Sequence, residues 1–265
     1  MATTKKVTRV ESSGVDDRPA APQPKDWKPT PEAKGTATKN RLIAALLWVL
    51  AIGAEAFTIF WLLHNTDIKL FMLWLIVAIV AIAGLAIGGS LLWKKANRYD
   101  PASKSDKVRF FVQNQLGVII AAVAFLPLII LIFLNKDMDG KQKGIAGAIA
   151  IVLLLLAGFA GADFNPPSTE LYSEKTTQVE QLTGQDLVYW TKYGTKYHLY
   201  DDCPAINKDK TTEIFEGTVG TAFAECTGLN KDEPLCKICE ARYLKEHPDK
   251  ASPGATGSNE TSPTK

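Results

Sequence analysis

The chain has 265 residues, 46% of them hydrophobic and 22% charged, with a net charge of +2 and a mean hydropathy of +0.00. These averages suit an ordinary soluble protein, yet nearly all the apolar residues lie between Leu42 and Ala162, and the flanks are polar and rich in charge. That distribution excludes a plain soluble globule, wholesale disorder, a collagen-like repeat and a small disulfide-stapled secreted fold.

Charge divides in the same way. Residues 1–162 carry 19 Lys/Arg against 11 Asp/Glu, and residues 163–265 carry 11 against 17, so a part of charge +8 precedes a part of charge −6. Affinity for a phosphate backbone rests on Lys and Arg, so no nucleic-acid partner is expected of the acidic part.

In chain order, residues 1–40 come first. They mix Lys, Asp, Thr and Pro, include Pro19–Pro24 and Pro29–Pro31, and predict a disordered arm without the apolar run of a cleaved signal peptide. Residues 41–162 hold four stretches of the roughly 20 apolar residues that a helix needs to cross a hydrocarbon core. The spans are 42–63, 70–93, 110–134 and 144–162, and Glu55 is their single charged residue. The expected fold is thus an α-helical polytopic membrane protein with four transmembrane helices, followed by a small α+β zinc-binding C-terminal domain, with the lipid bilayer as its first partner.

Short-loop charge sets the expected orientation. Lys25, Lys28, Lys34, Lys39 and Arg41 precede the first span, and Lys94, Lys95, Arg98, Lys104, Lys107 and Arg109 fill the second loop. The first loop offers only Lys69, and the third offers Lys136, Lys141 and Lys143 among Asp137 and Asp139. The positive-inside bias places both termini in the cytoplasm of a bacterial inner membrane. Trp61 and Trp93 fit interfacial anchors, whereas Trp48 sits deeper without an evident reason.

Within the spans, Glu55 is the candidate functional residue, because an ionised carboxylate in lipid costs several kcal/mol. Gln113, Asn114 and Gln115 of the third span stand at a different depth, roughly 13 Å away at 1.5 Å per residue. The expectation is a protonated, locally hydrogen-bonded side chain, with ion or proton coupling as the alternative. Gly84 and Gly88 form a G-x-x-x-G pair, and Gly144, Gly147, Gly158 and Gly161 mark the fourth span, so close helix packing within the bundle is expected there. Pro127 should bend the third span.

A linker over 163–184 leads to a metal-binding domain over 185–248 and a Ser-, Thr-, Gly- and Pro-rich tail over 249–265, expected to be disordered. All four cysteines, Cys203, Cys226, Cys236 and Cys239, fall in this last part. In a reducing cytosol such thiols point to metal rather than disulfides. Val188–Thr191 and Thr195–Leu199 alternate as two short strands around a Lys192–Gly194 turn whose glycine can take a positive φ. His198 and Cys203 follow as H-x4-C, Cys236 and Cys239 form C-x2-C, and a short helix is expected over Glu240–Glu246. Structural zinc is tetrahedral and takes thiolate and imidazole ligands, so His198, Cys203, Cys236 and Cys239 are the expected site for a structural Zn2+. A metal also explains how about 65 residues of modest apolar content fold. Cys226 is the competing fourth ligand, though Val219, Phe223 and Cys226 share a helical face that favours simple burial. His247 is read as an exposed helix-end residue.

The run Val188–Cys203, with "YWT", a Gly turn, "YH" and Cys-Pro, followed by "CKIC", resembles the small metal-binding domains similar to the N-terminal domain of the Ada DNA-repair protein. That family places His or Cys three residues before the first Cys, where this chain has H-x4-C. The four spans with this tail also resemble four-span membrane proteins of actinobacterial type, a resemblance that implies no particular activity. The repair chemistry of Ada needs a basic DNA-binding surface and does not carry over to an acidic domain. Tyr189, Trp190, Tyr193, Tyr197 and Tyr200 are read as the core of a tiny domain rather than a base-stacking platform. No Ser/His/Asp, paired-carboxylate or phosphate-loop constellation is present, so a non-enzymatic membrane protein is expected, with a cytosolic zinc module that is structural or engages a protein partner. Ion-coupled transport through Glu55 and a redox or zinc sensor are the alternatives.

Overall fold

The computed structural model describes residues 6–9 and 27–250. The chain divides into two compact units, Asp26–Tyr172 and a second made of Met1–Lys25 with Ser173–Lys265.

The first unit is a helical bundle of α1 (Pro31–Phe60), α2 (Phe71–Tyr99), α3 (Lys107–Leu134) and α4 (Gly140–Gly161). All four are long and apolar enough to cross a membrane. Local chemistry sets their starts. Thr30 accepts from Ala33 N at 3.1 Å with Pro31 at the first helical position, Asp106 accepts from Arg109 N at 3.0 Å, and Asp139 forms a reciprocal capping box with Gln142. The α1 start corrects the expectation of disorder to residue 40. Its last ten residues are polar but carry an N-cap, a helix-initiating proline and an acidic first turn in Glu32, and these extend the apolar helix outward.

The helices run up-down-up-down. At one end Arg41 of α1 pairs with Asp100 after α2 at 2.6 Å, and at the other Asn135 after α3 donates to Leu63 O at 2.9 Å. Leu75, Ile79, Ile82, Phe125, Leu128 and Ile132 are fully buried between them. The outer surface is equally apolar, with Leu42, Phe60, Trp74, Val108 and Leu155 all exposed. A water-soluble monomer rarely exposes apolar area on that scale.

Glycine packing differs from the expected pattern. A side chain at Gly84 would meet nothing within 4 Å, nor would one at Gly144 or Gly158. The close approaches are Gly117 to Gly161, where a Cβ on Gly161 would stand 2.5 Å from the Gly117 backbone, Gly147 against Phe133, and Gly89 against Trp48. Motif spacing identifies small residues, but helix rotation decides which of them face a neighbour. Gly89 also accounts for Trp48, whose indole fits over it, donates to Ala86 O at 3.3 Å and packs 5.2 Å from Trp93.

In the second unit a three-stranded sheet has the order β1 (Lys6–Arg9), β3 (Glu213–Gly217), β2 (Val188–Trp190). β1 runs parallel to β3, with Lys6 opposite Glu213, and β2 runs antiparallel to it. The N-terminal arm, expected to lack structure, therefore contributes a strand whose backbone bonds replace those a composition rule cannot see. Residues 1–5, 10–26 and 251–265, including most of that arm and the expected disordered tail, lie outside the described residues.

Other expectations for this unit shift as well. Thr195–Leu199 is reduced to single bridges, Tyr189 to His198 and Tyr197 to Leu235, while β3 supplies the regular partner of β2. The expected linker contains α5 (Thr169–Thr183), started by Ser168 Oγ accepting from Leu171 N at 3.2 Å. Its fully buried apolar residues are Tyr172 and Val179, seven apart in an otherwise polar segment, too sparse a stripe to read as a helix. α6 (Val219–Glu225) and α7 (Lys237–Glu246) complete the order, and α7 begins three residues earlier than expected.

Candidate metal centre

His198 and Cys203 come from the irregular stretch after β2, and Cys236 and Cys239 from the start of α7. Two backbone bonds join these stretches, Tyr197 N to Pro234 O at 2.8 Å and Cys236 N to Tyr197 O at 2.9 Å. Cys236 is the N-cap of α7 and its side chain makes no capping bond, so the sulfur is available to a metal. Cys239 lies in the first turn, where the helix dipole favours thiolates.

One ligand atom from each of His198, Cys203, Cys236 and Cys239 lies within 4.8 Å of all the others, and all four residues are buried. His198 Nδ1 stands 3.6 Å from Cys239 Sγ. Tetrahedral zinc, with Zn–N of about 2.0–2.1 Å and Zn–S of about 2.3 Å, separates N and S ligands by about 3.6 Å. The donor set and spacing are thus compatible with zinc, with Nδ1 as the ligating nitrogen.

Burial shifts two of the four ligands toward their neutral forms. Burial pushes the Cys239 thiol up to about 12, reinforced by its bond with Cys203 and opposed by the Leu199 backbone N–H. Burial, together with the charge of Lys196, lowers His198 to about 4. A divalent cation reverses this for the sulfurs, since coordination deprotonates a thiol, and a neutral imidazole is the form that binds metal.

Cys226 sits elsewhere. It ends α6, buried, and its thiol donates to Gly194 O at 2.9 Å and Thr191 O at 3.4 Å, tying down the Lys192–Gly194 turn. Gly194 does not take a positive φ, which among the described glycines belongs to Gly184. Its smallness matters instead, because a Cβ there would stand 2.8 Å from Thr191 Oγ1. His247 caps the end of α7, exposed and stacked on Tyr243 at 4.2 Å.

Comparison with known proteins adds no relative: no protein-family model, no curated protein and no solved structure matches the chain. The functional reading therefore rests on the chain's own chemistry.

One group of residues beside the metal centre has only a partial signature in sequence. Arg242 of α7 binds Asp202 at 2.7 Å and Glu246 at 2.9 Å, and its guanidinium lies 4.1 Å over the Tyr200 ring, whose hydroxyl donates to Glu246 at 2.6 Å. This clasp joins the His198–Cys203 stretch to the helix carrying Cys236 and Cys239. Arg242 and Glu246 form an i,i+4 pair that is a local pattern, but the D-x39-R and Y-x45-E separations that tie the two stretches together carry none.

In the bundle, Glu55 is 4% exposed and its Oε1 has no hydrogen-bond partner among the described residues. The Leu128 backbone N–H, one residue after Pro127, approaches the carboxyl group. Thr58, one turn on, donates to its own helix at Ala54 O, 2.7 Å away. Gln113 and Asn114 are buried near the Arg41–Asp100 end, where Gln113 Nε2 donates to Asp100 O at 2.9 Å.

Proposed function

We propose that this chain is a multi-pass protein of a bacterial inner membrane, with both termini cytoplasmic and a structural zinc held by His198, Cys203, Cys236 and Cys239. The module that the metal organises is non-catalytic and engages a protein partner at the membrane. The observation carrying this reading is the buried Cys3His quartet in the acidic C-terminal part of a chain that also has four apolar helices. The sheet supports the topology. β1 precedes the first candidate span and β3 follows the last, and their pairing requires both to lie on one side of a membrane, as four spans allow. Zinc here would supply cross-linking of two chain segments, replacing the large core so small a unit lacks.

Metal analysis of the full-length protein in detergent should find stoichiometric zinc, and co-purification from membranes should yield a partner lost on chelation. Zinc far below stoichiometry would remove the metal reading. Labelling of an introduced N-terminal cysteine from outside intact cells would invert the topology.

The unpartnered Oε1 of Glu55 favours one second reading, proton- or ion-coupled transport. Reconstituted vesicles should then show a pH-dependent flux that Glu55→Gln abolishes, and absence of flux in the unaltered protein removes this reading. A sensor in which metal loss or thiol oxidation unfolds the module remains a variant of the first proposal, separated from it by partner release on oxidation alone.

A further inference from the structure

At one end of the bundle the start of α1, the end of α2, the start of α3 and the end of α4 converge. Arg41 reaches Asp100, Trp93 Nε1 donates to Gln113 O at 2.8 Å, and Gln115 donates to Asp163 O at 3.4 Å. The acidic side chains nearest this end are turned onto partners within the protein. Asp100 holds Arg41, Asp106 caps α3, Asp163 accepts from Asn165 N at 3.3 Å, and Glu170 accepts from Ser103 Oγ and from Lys104 N at 3.0 Å. Burial opposes the Glu170 carboxylate, but those bonds outweigh it and hold its pKa at about 2. Glu32, Asp106 and Glu170 nonetheless stay exposed.

Exposed cations outnumber these three exposed acids. Lys34, Lys39, Lys95, Lys104, Lys107 and Arg109 are all exposed. Exposed apolar side chains lie immediately beside them: Leu42 next to Lys39, Leu91 one turn before Lys95, and Val108 and Phe111 among Lys107 and Arg109. Arg41 lies 5.7 Å over the Trp93 ring between these zones. The opposite end lacks this asymmetry, since Lys69, Lys136, Lys141 and Lys143 alternate with Asp67, Asp137 and Asp139.

We infer that this end of the bundle is a collar for anionic phospholipid headgroups. A soluble polyanion would match the charge alone. A phospholipid matches both halves of the pattern, with phosphate on the Lys and Arg and acyl chain on the apolar residues within a turn of them. The attraction should be that of basic residues at a charged leaflet, screened by salt over a Debye length. This inference rests on the membrane reading above.

The test uses the full-length protein reconstituted in vesicles of phosphatidylcholine, or of phosphatidylcholine with a minority of phosphatidylglycerol, with spin-labelled lipids of each headgroup as the probe. The expected result is a preference for the labelled phosphatidylglycerol of roughly fivefold that declines with added salt. The triple variant Lys95→Gln, Lys107→Gln, Arg109→Gln should lose it, while Lys136→Gln, Lys141→Gln, Lys143→Gln at the opposite end should keep it. Equal affinity for the two lipids, or equal loss in both triple variants, would overturn the collar. Alkaline carbonate extraction of the pure phosphatidylcholine vesicles separates the two claims: protein that washes off refutes the membrane reading, and protein that stays without lipid preference refutes the collar alone.

Discussion

The bundle and the metal module solve the same problem with opposite means. The bundle has apolar side chains to spare, buries Leu75, Ile79, Phe125 and Leu128, and still exposes Leu42, Phe60 and Leu155. Its fit is set by smallness, where Gly117 meets Gly161 backbone to backbone. The module has a short sheet, a few fully buried side chains such as Trp190, Tyr197 and Ile214, and four converging ligands. Thus one unit depends on close packing along its whole length, and the other on a point where two segments are tied. Mutations should therefore act through shape in the first and through ligand chemistry in the second.

The largest expected effect is metal removal. Structural zinc contributes about 10–16 kcal/mol in small zinc-folded peptides, so chelation or Cys236→Ser with Cys239→Ser should unfold the module while the bundle keeps its helices. Circular dichroism with limited proteolysis of the full-length protein checks this, and a module that stays protease-resistant without metal would break the contrast.

Next in size is Gly161→Leu. Overpacking costs about 1–3 kcal/mol or more where backbone cannot yield, and the Gly117 backbone leaves no room. The bundle's thermal midpoint should fall in Gly161→Leu and hold in Gly158→Ala, whose added Cβ meets nothing within 4 Å. Equal effects would show that helix rotation differs from the one described.

A pH titration sharpens the comparison further. Burial lowers His198 to about 4 in the folded module, against an ordinary value of 6.5. Between these values the unfolded chain binds the extra proton, so the folded module's stability is full above about 6.5 and declines as pH falls toward 4. Proton competition for the metal ligands acts in the same direction. The bundle's histidine, His64, is exposed rather than buried, and the two units should separate in a calorimetric scan at acid pH.

The smallest effect belongs to Arg242→Ala. Its partners are exposed, so the clasp is screened, and the module should lose only slight stability, a loss that vanishes at high salt. Faster zinc transfer to a chelator at low salt, restored in part by Arg242→Lys, would show that the clasp holds the two ligand pairs in register.

Much of this architecture was legible before the structure. Four apolar runs, the H-x4-C and C-x2-C pairs and the burial of Cys226 all rest on local pattern or on ligand chemistry, and local pattern survives folding. The strand at Lys6–Arg9, α5 within the supposed linker and the start of α1 at Pro31 did not read clearly, because each is a polar segment whose structure comes from backbone bonding or a cap rather than an apolar stripe.

By itself the sequence determined that four apolar helices exist and that its cysteines and His198 are candidate metal ligands, since length, hydropathy and donor type are properties of residues. Only tertiary structure decided which glycines touch, that Cys226 turns to Gly194 rather than to the quartet, that Asp202 meets Arg242, and that Lys6–Arg9 and Glu213–Gly217 share one sheet. Those are relations between residues distant in the chain, fixed by helix rotation and strand register, and no single segment encodes either.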